Sequence, residues 1–97
     1  MKTSHELFGM EIGEGWLPLV EELKDKLSRS GWKGEFTQVK EKWGLLRVYI
    51  SEGNEERWKL IDEYETRSGT ICEVCGEEGK RRSGSWIKTL CDKHNIY

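Results

Sequence analysis

Apolar positions along the chain change period twice, and each change marks an element. Leu19, Val20, Leu23 and Leu27 fall at helical spacing, with Pro18 in the first turn, Glu21 and Glu22 where the helix dipole favours anions, and Gly31 as a C-terminal stop. From Phe36 to Ile50 the period becomes two: Val39 follows two residues after Thr37, and Leu46, Val48 and Ile50 alternate with Leu45, Arg47 and Tyr49 around a turn at Gly44. Asn54 then caps a second helix with Glu55 and Glu56 in its first turn, and Trp58, Ile61, Tyr64 and Leu60 are expected on its buried side before Gly69 ends it.

These elements predict an α+β fold, a small αββα unit over 16–69. It follows an irregular, glycine-containing arm over 1–15 and precedes a zinc-binding tail over 70–97. Within the tail, Lys80 to Ile87 reads as a second short hairpin and Leu90 to Asn95 as one or two helical turns, an order resembling a treble-clef zinc finger.

The tail carries the strongest chemical signal. Cys72-x2-Cys75, fifteen intervening residues and Cys91-x2-His94 offer three sulfur ligands and one nitrogen at the paired spacing of a tetrahedral zinc site. Three cysteines are an odd number for a disulfide framework, which favours metal ligation. Protein fills all four positions, so a structural ion is expected rather than one that activates water.

Composition narrows the setting. A chain of 97 residues cannot build a large core alone, and five tryptophans supply much of what it has. Apolar and charged residues each make up 35%, which places the chain among globular proteins. The formal charge is −2, and a site of three thiolates with Zn²⁺ moves it to about −3, so a generally basic nucleic-acid binder is disfavoured. The start, Met1 to Leu7, lacks the apolar run of a signal peptide and no stretch suits a bilayer crossing, so a cytoplasmic setting without membrane contact is expected.

Catalytic groups are scarce. Outside the zinc set the histidine count is one, His5, and no serine has an evident base beside it. Glu21, Glu22, Glu55, Glu56, Asp62, Glu63 and Glu65 read as solvated helix faces. A nuclease on a treble-clef scaffold would need His94 as a catalytic group, and here it is spent as a ligand. The expectation is a protein that is not an enzyme.

Two clusters suit binding. On the central hairpin, Lys40, Lys42, Trp43, Arg47 and Tyr49 interleave cations with aromatics, a surface for a flat anionic ligand. The plain alternative has Lys40 and Lys42 solvated, Trp43 covering a core edge and Arg47 paired with a local glutamate. A secondary basic patch, Lys80, Arg81, Arg82, Trp86 and Lys88, lies on the tail hairpin, where solvated turn charges are the plainer reading.

Gly15 to Leu19, Gln38 to Tyr49 and the Cys72 to His94 tail together resemble short, mostly uncharacterised zinc-containing proteins of tailed phages and bacteria, and the resemblance covers the chain from Trp16 onward. That group often has aromatic-Gly-Gly-Leu-Arg at the hairpin turn, whereas here Trp43-Gly44-Leu45-Leu46-Arg47 places Leu45 at the second glycine. By analogy only, small phage proteins of this size include counter-defence sponges, which makes sequestration of a cyclic oligonucleotide signal in the host cytosol, without cleavage, the leading expectation, and the tryptophan content and small core predict a homo-oligomer. The other reading is a nucleic-acid- or protein-binding zinc module with a regulatory or adaptor role.

Overall fold

A computed structural model describes residues 12–83 and 87–95. It is α+β, with two helices, two small antiparallel sheets and the Cys/His cluster at the C-terminal end. A 3-10 turn (Glu14–Trp16) runs into helix α1 (Leu17–Arg29). Strands β1 (Phe36–Lys42) and β2 (Leu45–Ile50) form a hairpin, followed by helix α2 (Glu55–Ser68). The tail holds β3 (Lys80–Arg82), β4 (Lys88–Leu90) and a 3-10 turn (Asp92–His94). Among the described residues no helix is long and apolar enough to cross a membrane.

Helix α1 starts and stops as its sequence dictates. Pro18 sits in the first turn, where its missing N–H costs nothing, and Gly31 adopts φ +92° just past the end. Leu19, Val20, Leu23 and Leu27 are all buried, joined in one core by Val39, Leu46, Val48, Ile50, Ile61 and Tyr64. Asn54 caps α2 by accepting a hydrogen bond from the Arg57 N–H at 2.8 Å.

The hairpin turn is tighter than its glycine alone suggests. Trp43 and Gly44 both have positive φ, 56° and 79°, the two-residue geometry that matches the twist of paired strands. Leu45 already belongs to β2, so the position where the resembling proteins carry a second glycine lies outside the left-handed pair. Register sets the faces: Val39 pairs with Val48 over the core, while Gln38 pairs with Tyr49, Lys40 with Arg47 and Lys42 with Leu45 on the other side.

The second edge of β2 would leave backbone N–H groups bare, and α2 covers it. Ser68 Oγ accepts from the Leu46 N–H and Glu65 Oε2 from the Val48 N–H, both at 2.9 Å. Glu65 is therefore no solvated helix carboxylate, its side chain being 15% exposed. Burial raises its pKa above the ordinary value, against the opposing pull of the Val48 N–H and Arg47.

Two expectations about packing change. Trp58, expected on the buried side of α2, is 43% exposed, because the apolar contacts of that helix run through Ile61 and Tyr64 toward α1 and the hairpin. Residues 12–15 of the expected arm are folded: Ile12 is buried and the Gly15 N–H donates to the Glu73 carbonyl at 3.0 Å. A Cβ on Gly15 would collide with the Cys72 carbonyl, so the glycine serves a close backbone approach to the metal loop. The rest of that arm, 1–11, lies outside the described residues.

Candidate metal centre and the hairpin face

The loop after α2 builds the first pair of ligands. Cys72 N–H donates to the Glu77 carbonyl at 2.7 Å, Gly76 N–H returns to the Cys72 carbonyl at 2.9 Å, and the chain reverses at Gly76 with φ +83°. The second pair follows β4, where the His94 N–H donates to the Cys91 carbonyl at 3.1 Å and folds His94 back over Cys91. One ligand atom from each of Cys72, Cys75, Cys91 and His94 lies within 4.8 Å of every other.

Three of those separations come close to the edges of a tetrahedral site. Metal–sulfur bonds of about 2.3 Å imply sulfur–sulfur edges of about 3.8 Å, and sulfur–nitrogen edges slightly shorter. Cys75 Sγ lies 3.7 Å from Cys91 Sγ, and His94 Nδ1 lies 3.7 Å from Cys72 Sγ and 3.1 Å from Cys91 Sγ. The cysteines are all free.

The thiols are electrostatically uneven. Burial opposes ionisation of Cys72, yet hydrogen bonds from the backbone at Cys91, Cys75 and Val74, together with the Cys75 side chain, bring its pKa down from 9.0 to about 6. Cys75 moves the other way: the backbone at Glu77 favours its thiolate, but burial and the neighbouring Cys91 and Cys72 sulfurs outweigh that. A divalent cation held by Cys72, Cys75, Cys91 and His94 would supply the positive charge that allows all three sulfurs to ionise together.

Around the candidate ligands, three of the basic side chains of the tail patch are engaged by protein partners. Arg82 donates to the Leu90 carbonyl at 3.1 and 3.0 Å and to Asp92 at 2.9 Å. Lys88 pairs with the buried Glu73 at 3.0 Å, and Arg81 reaches the Trp43 carbonyl. Lys80 is exposed, and Trp86 lies outside the described residues.

The hairpin cluster is brought together. Lys40 and Arg47 are cross-strand partners, and the Lys40 ammonium lies 6.0 Å from the centre of the Tyr49 ring. Arg47 does pair with a local glutamate, Glu65, at 3.6 Å, while keeping 39% of its side chain exposed. Its Nε is buried and has no hydrogen-bond acceptor among the described residues. Trp43 covers no core edge, being 60% exposed at the turn, and Lys42 is exposed beside it.

Sequence reasoning missed the groove beside this face, where Trp58, Asp62 and Glu65 of α2 meet Arg47 and Tyr49. Their spacing of four and three residues was the available signal, because it places them on one helical face. Compared with models of known protein families, with curated proteins and with solved structures, the chain matches none.

Proposed function

We propose that the chain is a non-enzymatic binding protein that captures a phosphate-bearing nucleotide on the β1–β2 hairpin, with a structural zinc ion holding its tail. The observation that carries the reading is the strand register, which aligns Gln38, Lys40 and Lys42 with Tyr49, Arg47 and Leu45 on the face away from the core. Lysine and arginine neutralise phosphate there, and the exposed rings of Tyr49 and Trp43 offer stacking surfaces.

Zinc is the ion that three thiolates and one imidazole suit best, and the order of loop, hairpin and short helical turn supports a treble-clef-like tail. The resemblance to small phage proteins makes a cyclic oligonucleotide signal the ligand of choice and the host cytoplasm the setting. The hairpin face is open, so a second copy of the chain is the natural lid, and sequestration then proceeds without bond cleavage.

The test is thermal stability of the zinc-loaded protein against a panel of cyclic di- and trinucleotides, since a bound ligand raises the melting temperature by mass action. A selective shift that disappears in Arg47→Ala is expected. No shift at ligand excess, combined with steeply salt-dependent binding to DNA or RNA, would replace this reading with a nucleic-acid-binding zinc module.

A further inference from the structure

Phosphate capture leaves part of the groove between β2 and α2 unused. Tyr49 and Trp58, 44% and 43% exposed, line one shallow cavity of about 220 Å³ with Arg47, Ile61, Asp62 and Glu65. Two aromatic side chains beside so small a space suit a single flat heterocycle. The Trp58 indole is not a loose surface group, because it rests against the backbone of Gly53, where an added Cβ would come within 2.6 Å of Nε1. Tyr49 borders the groove and also carries the Lys40 ammonium near its ring, so the cavity and the cationic face are continuous.

The polar wall of the groove is acidic, and its two carboxylates differ. Glu65 is occupied, with Oε2 accepting from the Val48 N–H and Oε1 facing Arg47. Asp62, one turn earlier, is exposed and makes no hydrogen bond or ion pair among the described residues. A carboxylate has two acceptor oxygens and is best met by two adjacent donors. Guanine presents such a pair on its Watson–Crick edge, N1–H and N2–H. Adenine and cytosine each present one amino group beside a ring lone pair, which a carboxylate repels, and uracil presents one N–H between two carbonyls.

We propose that this groove is the base subsite of the nucleotide site and that it selects guanine, stacked with Tyr49 and Trp58 and read by Asp62, with the phosphate directed toward Lys40 and Arg47. The inference rests on the nucleotide-capture reading and adds Trp58 and Asp62 to its residues.

Titration calorimetry of the zinc-loaded protein with GMP, AMP, CMP and XMP, and with cyclic di-GMP and cyclic di-AMP, tests it in wild type and Asp62→Asn. The guanine ligands are expected to bind at least about tenfold more tightly than their adenine counterparts, the difference of one well-made hydrogen bond to a charged group. Asp62→Asn should transfer the preference from GMP to XMP, whose C2 carbonyl meets the new amide N–H. A transferred preference cannot come from misfolding. Equal affinity for all bases, or a GMP preference that survives Asp62→Asn, would overturn the guanine subsite and leave phosphate capture standing. Absence of binding by every nucleotide would overturn both.

Discussion

Arg81, on the first strand of the tail hairpin, donates from Nε and Nη2 to the carbonyl oxygen of Trp43, at 3.1 and 2.6 Å, across 38 residues of sequence. Thr89 on the partner strand adds a hydroxyl hydrogen bond to the Gly44 carbonyl at 2.5 Å. Both residues of the left-handed β1–β2 turn are thus held from the tail that carries the Cys/His cluster, and the exposed Trp43 indole is presented by it. Removing the metal should disturb this turn. Chelation is expected to shift the Trp43 and Gly44 amide resonances together with those of Cys72 to His94, and Arg81→Ala should cost about 1 kcal/mol in urea unfolding, since the contact is solvent-exposed. Turn resonances that stay fixed while the tail changes would show the two hairpins to be independent.

A metal bound at the Cys/His cluster is expected to carry a larger share of stability. The tail has a small apolar cluster of its own, Cys72, Leu90 and Cys91, and two of those three residues belong to the candidate metal site. Replacing Cys75 by Ala leaves the remaining donors too few for a closed tetrahedral site. Native mass spectrometry should find one ion per wild-type chain and none in the variant. The variant tail should unfold, with a loss of up to the order of 10 kcal/mol set by analogy with metal-dependent fingers. Full retention of tail structure in chelator would exclude a structural ion.

Helix α1, the hairpin, the capped helix α2 and the ligand quartet were legible because each depends on local sequence: a 3.6 or 2.0 period, a cap, or a paired spacing. What escaped depends on long-range partners. Nothing near Glu65 in sequence announces that it caps the edge of β2, seventeen residues away at Val48, and a helix glutamate among others reads as solvated. Gly13 and Gly15 suggest a loose arm until the backbone of Cys72 and Glu73 is seen packed against them. Trp58 carries the apolar signal of a core residue, but the core face of α2 is claimed by Ile61 and Tyr64.

That contrast among tryptophans is measurable. Trp16 is fully buried and donates from Nε1 to the Ile71 carbonyl at 2.8 Å, tying the start of α1 to the approach of the metal loop. Trp16→Phe removes that donor, leaves a partly buried carbonyl without it and opens space in the core, with an expected cost of about 1 to 3 kcal/mol. Trp58→Phe on the exposed groove should stay within about 1 kcal/mol of wild type. Denaturant unfolding of the two variants side by side checks the order, and a reversal would place Trp58 in the core.

A last prediction concerns acid. Glu22 on α1 accepts from the Tyr64 hydroxyl at 2.6 Å and from Arg67 Nη1 at 2.9 Å, while the Arg67 guanidinium and the Lys26 ammonium lie near the face of the Tyr64 ring. The Tyr64 hydrogen bond, followed by that of Arg67, holds the Glu22 carboxyl below its ordinary value of 4.5, and the Arg67 pKa rises in response. Because the folded state binds this proton less tightly than the unfolded chain, the stabilisation is complete above the ordinary carboxylate value and is lost as pH falls through the lowered one. Glu22→Gln keeps an acceptor for Tyr64 but removes the charge, so it should be less stable than wild type at neutral pH, with the gap closing as pH falls below the ordinary carboxylate value and through the lowered one. Urea midpoints of the pair across that range give the answer. A gap that persists in acid would mean that the contact between α1 and α2 depends on the shape of Glu22 rather than its charge.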